Sequence, residues 1–370
     1  MLYVDVPTKS EFAALRAARA DICVSIVTPT TPVTGATGAS RIAFRNAIAQ
    51  VWRQLEGRDK RRVEAVMSRL EDVAGDDDFW AHQAHTLLVL ATPDQLHTFR
   101  LATSVPETLD VADRFYLKPL LRALAFPQVA RVLALSEGAV RLIDVEPDQP
   151  AREVSVDALP RDGASAVGKA TLNDRTSDGR GGGLEEQNVQ LGKYVRAVVQ
   201  ALRPVVAGSE VPLILASTGR LESMFREMSS FGELLPETIK TSPDRLTPGQ
   251  LAEAARPVLD AAYRRQIDDF ATLFHERRSS GRATSDVSDA ARAATRGAVA
   301  TMLVNIDDHI PGLVDEDGGV TFARTDDATT YGVIDEIAGR ALDSGARVLG
   351  VRASDLPEGA ELAAVLRYPV

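Results

Sequence analysis

Ser177-Asp-Gly-Arg-Gly-Gly-Gly-Leu-Glu-Glu-Gln-Asn188, with the run behind it that carries Lys193, Tyr194 and Arg196, decides how this chain is read. Four glycines fall within five residues: Gly179, Gly181, Gly182 and Gly183. Glycine loses more backbone freedom on ordering than any other residue, so this is neither a strand nor a helix interior. Such a run is either a solvent loop or backbone that must come very close to a ligand. Behind it Leu191, Val195, Val198, Val199 and Leu202 recur at helical spacing, with Lys193, Arg196 and Arg203 off the stripe. Pro204 and Gly208 predict the end of that helix.

Around this stretch lie 370 residues, enough for two or three domains. A hydrophobic content of 45% and a charged content of 25% belong to a folded chain, not a disordered one. The single cysteine, Cys23, excludes a disulfide framework and a cysteine zinc site, and suits a reducing compartment. The opening Met1-Leu-Tyr-Val-Asp-Val-Pro lacks the pattern of a signal peptide, and no apolar run reaches membrane-spanning length. A cytoplasmic protein away from the membrane is expected. The net charge of −10 excludes a general nucleic-acid coat protein, whose affinity comes from neutralising phosphates. It leaves room for a local basic surface: residues 161–203 hold seven basic and five acidic residues.

In the first segment, Ser10 predicts the cap of a helix through Ala20, and Ile22 to Val27 reads as a buried strand. Ile42, Ala43, Ala47, Ile48, Val51 and Leu55 make an amphipathic helix from Ser40. The cluster Arg58-Asp-Lys60-Arg61-Arg62 opens a second helix; it is either a solvated helix end or an RNA contact. His82 and His85 would share a face if a helix formed there, but lack a third ligand or an acidic partner, so no metal site is expected. Thr86 to Ala91 and Thr98 to Leu101 read as strands.

In the middle segment, Val129 to Leu135 and Ala139 to Val145 flank Ser136-Glu-Gly138 as a hairpin, continued by Val154 to Val156. The polar stretch from Pro160 to Gly183 is too long for an ordinary connection. Gly163-Ala-Ser-Ala-Val-Gly168-Lys169 resembles the start of a phosphate-binding loop, but Ala170 stands where a hydroxyl must hold magnesium. A buried strand, Val211 to Ala216, and a helix, Arg220 to Met228, complete an α/β sandwich with an extruded glycine loop. A long amphipathic helix from Pro248 to Arg278 then leads into the last segment.

There, a helix from Ser285 to Arg296, a strand from Ala298 to Val304, a helix from Tyr331 to Ser344 and strands at 346–351 and 362–368 predict a small α/β/α domain. Residues 307–329 carry seven acidic residues and predict an exposed insertion without the ligand spacing of a calcium loop.

These residues resemble the archaeal and eukaryotic class-1 peptide-chain release factors and Pelota, in the form of their bacterial relatives. Three places carry the resemblance over nearly the whole chain. Gly179-Arg-Gly-Gly-Gly183 with Tyr194-Val-Arg196 resembles the family's GRGGQ loop and following helix. Ala291 to Val304 resembles the start of its third, ribosomal-protein-like domain, and Ala338 to Tyr368 that domain's close. The resemblance implies a mixed α/β chain of three domains, 1–126, 127–264 and 265–370. The first would face the decoding centre, the second would bring the glycine loop to the peptidyl-transferase centre, and the third would dock partners, among them a translational GTPase.

It further implies that Arg180, Gly183, Lys193 and Arg196, with Arg58, Lys60, Arg61 and Arg62, contact ribosomal RNA. Gly181 and Gly182 would pack against RNA and the tRNA 3′ end, where backbone donors can stabilise a developing oxyanion. Gly183 stands where the family has glutamine, and Gln187, four residues on, is the group left to position water. The codon-reading motifs of the first domain have no counterpart. The leading expectation is a monomeric translation factor, without cofactor or metal, that enters the ribosomal A site in rescue, hibernation or non-canonical release, with ribosomal RNA and peptidyl-tRNA as partners. The alternatives are a peptidyl-tRNA hydrolase working through residues 179–187, and a non-ribosomal interaction protein on the same scaffold.

Overall fold

A computed structural model describes residues 3–33, 35–147, 150–167, 183–209, 211–324 and 328–369. In chain order the first segment holds α1 (Lys9–Ala17), β1 (Cys23–Pro29), α2 (Gly38–Gln54), α3 (Lys60–Gly75), α4 (Asp77–Ala81), β2 (Thr86–Ala91), β3 (Leu96–Leu101), β4 (Thr108–Ala112) and α5 (Lys118–Ala125). The middle holds β5 (Ala130–Leu135), β6 (Val140–Val145), β7 (Arg152–Val154), α6 (Gly163–Val167), α7 (Gly183–Val206), β8 (Leu213–Ala216), α8 (Arg220–Met228), β9 (Leu234–Ile239) and α9 (Pro248–Arg278). The last holds β10 (Ala283–Thr284), α10 (Val287–Thr295), β11 (Val299–Asn305), β12 (Pro311–Val314), β13 (Val320–Phe322), β14 (Tyr331–Gly332), α11 (Val333–Asp343), β15 (Arg347–Val351) and β16 (Leu362–Leu366). The fold is mixed α/β with several sheets.

The chain forms two compact units, residues 128–266 and the combination of 1–127 with 267–370. In the larger unit the first sheet runs β3-β2-β1-β4, antiparallel throughout. Its two central strands are apolar on both faces, as the unbroken runs predict. From one face Val24, Ile26, Leu87, Val89 and Ala91 meet α2 and α3 through Phe44, Val51, Val66 and Leu70. From the other, Cys23, Val27, Leu88 and Leu90 join a core completed by the last segment, including Ala290, Met302, Val304, Ile337 and Leu362. Burial pushes the Cys23 thiol up to about 11, which keeps it inert.

The last segment builds a second sheet, β10-β16-β11-β15, in which β11 and β15 are parallel and β16 runs against β11. Helix α5 lies on β15 so closely that a Cβ at Gly350 would stand 2.8 Å from the Arg122 backbone nitrogen. The acidic stretch expected as an exposed insertion is in part a small sheet, β13-β12-β14. It holds because the Tyr331 hydroxyl, buried, accepts from the Val314 N–H at 2.8 Å. Other boundaries also move. Thr8, not Ser10, caps α1: its Oγ1 accepts from the Glu11 N–H at 3.2 Å while the Glu11 carboxylate accepts from the Thr8 N–H at 2.8 Å. Helix α4 stops at Ala81, so His82 and His85 lie beyond it on no common helical face.

A polar cluster around one buried lysine ties first segment to last. Lys118, 1% exposed, donates from Nζ to the Asn305 carbonyl at 2.8 Å and to the Asp308 carbonyl. Asp335 accepts from the Leu117 N–H at 2.8 Å. Arg114 pairs with Glu336, which also holds Arg340 at 2.8 Å. The His309 ring stands edge-on to Tyr116, 5.1 Å between centroids. Burial pushes Lys118 down to about 8 and Asp335 up to about 6, and the attraction between the two opposes both shifts.

The Asp335 shift sets a pH dependence opposite to that of an ordinary salt-bridged carboxylate. Its folded pKa lies above its unfolded one, so the stabilisation is complete below the unfolded value of 3.8 and is lost as pH rises through about 6. Asp335→Asn keeps the acceptor for Leu117 and abolishes the titration. Urea melts should show the advantage of wild type over this variant shrinking from about pH 3.5 to about pH 7, by on the order of 2–3 kcal/mol. A pH-independent difference would show that Asp335 does not carry this titration.

Candidate functional site: the basic helix after the glycine run

The central unit is a five-stranded sheet, β7-β6-β5-β8-β9, with β5, β8 and β9 parallel and the β5–β6–β7 edge antiparallel. Leu133, Leu135, Leu213 and Leu215 face α7 and α8. Their alternates, Ala130, Val132, Ala134, Ile214 and Ala216, face α9 through Leu251, Ala255 and Val258. Period-two alternation in buried parallel strands thus gives a three-layer sandwich. Helix α7 lies on it by the predicted stripe: Leu191, Val195, Val198, Val199 and Leu202 are all buried. It continues two residues past Pro204, to Val206. A proline this near the C-terminus forfeits only one bond, and the turn away comes at Gly208, whose φ of +77° favours glycine.

Both ends of the segment that bears the glycine run are tied to one turn, Ser136–Ala139. On the entry side, the Gly163 N–H donates to the Glu137 carbonyl at 2.9 Å and the Val140 N–H to the Arg161 carbonyl at 3.2 Å. Asp162 caps α6 by accepting from the Ser165 N–H at 2.6 Å, and that bond holds its carboxyl below the usual range. On the exit side, Tyr194 is fully buried and its hydroxyl donates to the Ser136 carbonyl at 2.9 Å. Burial pushes this phenol well above its ordinary pKa, so it stays a neutral donor. The turn itself is braced: Ser136 Oγ donates to the Asp244 carboxylate and accepts from the Ala139 N–H at 2.9 Å. Arg141 donates to the Pro243 and Leu246 carbonyls at 2.8 and 2.9 Å.

The residues singled out in the sequence are distributed as follows. Arg180, Gly181 and Gly182 lie outside the described residues, as do Gly168, Lys169 and Ala170; Gly183 is the first residue of α7. Lys193 and Arg196 are exposed, one turn apart on the outer face of α7, and Arg203 continues that face. Gln187 is exposed too, but it falls on the line of Leu191, Tyr194 and Val198, roughly half a turn from the cations. Between Gln187 and Val206 the helix holds no carboxylate.

The Arg58–Arg62 cluster belongs to the other unit, at the start of α3. There Arg58 donates to the Asp21 and Ala328 carbonyls, Arg62 pairs with Asp21, and Lys60 stands 3.7 Å from Glu64. Arg61 is exposed. Arg220, at the start of α8, carries no local signal of its role: it donates to the Asn188 side chain at 2.8 Å beside the helix entry. The bracing of Ser136 by Asp244 is a contact over 108 positions and likewise leaves no local signal.

Residues 127–265 match the model of bacterial archaeo-eukaryotic release factor family 11. Solved structures similar to the chain include Saccharomyces cerevisiae Dom34, a translation termination-like factor interacting with Hbs1, at 13% identity over 99% of this chain and 93% of that one, with a TM-score of 0.40. Archaeal Pelota, in a model of ribosome-bound Pelota and ABCE1, is 13% identical over 99% and 96%, with a TM-score of 0.40. The archaeal translation termination factor aRF1 is 14% identical over 97% and 96%, with a TM-score of 0.25. No curated protein matches the chain. No helix among the described residues is long and apolar enough to cross a membrane.

The anchoring of α7 can be tested on Tyr194. Tyr194→Phe keeps the packing and leaves the buried Ser136 carbonyl without its donor, a loss of about 1–2 kcal/mol in a urea melt. Tyr194→Ala should lose about 3–5 kcal/mol, because it also opens a cavity under the helix. Equal effects of the two changes would mean that the phenol bond, and not the packing of the ring, supplies the anchoring.

Proposed function

We propose that the protein is a ribosome-binding translation factor that uses the outer face of α7 on ribosomal RNA and directs the glycine run at peptidyl-tRNA. One observation carries this reading. A chain of net charge −10 places Lys193, Arg196 and Arg203 together on the solvent face of a helix that has no carboxylate from Gln187 onward. Phosphate binding rewards such a local field even on an acidic protein. The match of residues 127–265 to a bacterial release-factor family supports the same partner.

On this reading the fixed entry and exit at the Ser136–Ala139 turn give the glycine run a defined origin. Were the peptidyl ester hydrolysed there, the run's backbone N–H groups would be the donors for the oxyanion. A stop-codon reader is disfavoured, because Gly183 replaces the glutamine and the codon-reading motifs are missing. Occupancy of the A site in rescue or hibernation, in the cytoplasm, fits better. A GTPase partner through the last segment, and a monomeric state, are part of the same proposal.

Peptidyl-tRNA hydrolysis is a second reading, favoured by the exposure of Gln187 at the entry of α7, beside the glycine run. Gln187 stands roughly half a turn from the cations, so on this reading it would work on the side of the helix away from the RNA-binding face.

Purified protein should co-sediment with bacterial ribosomes, with affinity falling steeply as salt rises. Replacing Lys193, Arg196 and Arg203 together by Glu should weaken binding at least about tenfold and flatten the salt dependence by about two to three in log–log slope. Absence of co-sedimentation at low salt would sink the proposal. Release of peptide from a stalled complex, lost in Gln187→Ala, would select the hydrolytic reading; binding without release would select occupancy.

A further inference from the structure

The first segment carries a second surface that the α7 reading does not use. Helix α2 buries Phe44, Ala47, Ile48 and Val51 toward its own sheet. On another side it shows solvent a stripe at i, i+3, i+7 and i+10: Ile42, Arg45, Ala49 and Trp52. Ile42 is 63% exposed and Trp52 52% exposed, a large apolar area for one helix face. Beside this stripe, between α2 and α3, runs a groove of about 520 Å³ lined by Arg45, Ile48, Ala49, Trp52, Met67 and Glu71, among others. That volume is within the about 300–1,000 Å³ of clefts that receive a ligand or large side chains.

The charges along the groove are divided between its banks. Helix α2 carries Arg41, Arg45 and Arg53 and no carboxylate. Arg41 is occupied with the Ala74 carbonyl and Asp77, which leaves Arg45 as the exposed cation at the mouth. The α3 bank presents Glu71, while Glu64, two turns before it, is paired with Lys60. A single-stranded nucleic acid could stack a base on Trp52, but its phosphates would then meet Glu71. The opposite charges that line the groove, Arg45 and Glu71, instead match a polypeptide helix with both charges. An aromatic wall over an aliphatic floor is also the usual centre of a protein–protein contact.

We propose that the α2–α3 groove docks an amphipathic α-helix of a partner protein. Large apolar anchors of that helix would enter beside Trp52, an acidic flank would face Arg45 and a basic flank would face Glu71. The site is separate from α7, so a failure of ribosome binding leaves it standing.

Trp52 supplies its own readout, because the other tryptophan, Trp80, is 2% exposed and donates internally to the Val73 carbonyl. The probe is a synthetic helix with Phe and Leu anchors at i, i+4 and i+7, Glu along one flank and Lys along the other, titrated into the full chain. Companion helices carry all-Glu flanks, all-Lys flanks, or Ala at the anchors; a uridine oligonucleotide is the nucleic-acid probe. The mixed-flank helix should blue-shift Trp52 emission and bind better than all three companions. Trp52→Ala, read with a labelled probe, should weaken it by about tenfold or more, and Arg45→Glu by several-fold. The inference is overturned if the mixed-flank helix binds no better than the Ala-anchored one. It is equally overturned if the oligonucleotide shifts Trp52 and displaces the helix, which would make the surface a base-stacking platform.

Discussion

The constraint on which the larger unit depends is that β1 and β2 are apolar on both faces. Each fully buried Val, Leu or Ile stabilises by about 1.5–3 kcal/mol relative to exposure. One face is served locally, by α2 and α3, which follow β1 in the chain. The other meets α1 and α5 through Phe12, Leu15, Leu120 and Leu121, and the chain returns after residue 266 to complete its cover. The last segment is therefore the second half of the core of the first.

Joining distant segments brings polar groups into the seam, and the seam accommodates them by pairing. Lys118, Asp335, Arg114 and Glu336 are each satisfied from the opposite segment. A buried charge with fixed partners contributes little net stability over an apolar contact, but it penalises every other register of the two surfaces. Gly350 works with this cluster, since only a residue without a side chain admits the α5 backbone at that distance.

The central unit was largely legible in the sequence because its elements are strongly periodic. The hairpin flanking Ser136, the apolar run of β8 and the stripe of α7 were recovered within a few residues. Elements that escaped have weak local signals. β4 (Thr108–Ala112) is a short edge strand, β9 (Leu234–Ile239) contains Pro236, and α5 is eight residues long with a polar start. Each is held by what it packs against. The acidic stretch after Asn305 was misjudged for the same reason: its small sheet is tied by the side chain of Tyr331, which no local pattern announces.

By itself the sequence determined the kind of chain this is: mixed α/β, acidic overall, with a glycine run opening a cationic helix whose buried stripe follows from 3.6-residue spacing. That information is local, and spacing alone encodes it. The same spacing puts Lys193 and Arg196 on a face from which Gln187 is turned away; only the tertiary structure decided that this face looks to solvent. The same holds for the anchoring of both sides of the glycine-bearing segment on the Ser136 turn, the pairing of Arg58 and Arg62 with Asp21, and the shared core of the two outer segments. Those outcomes depend on contacts between residues tens to hundreds of positions apart. Their energies come from burial and from pairing of desolvated groups, which a linear pattern does not record.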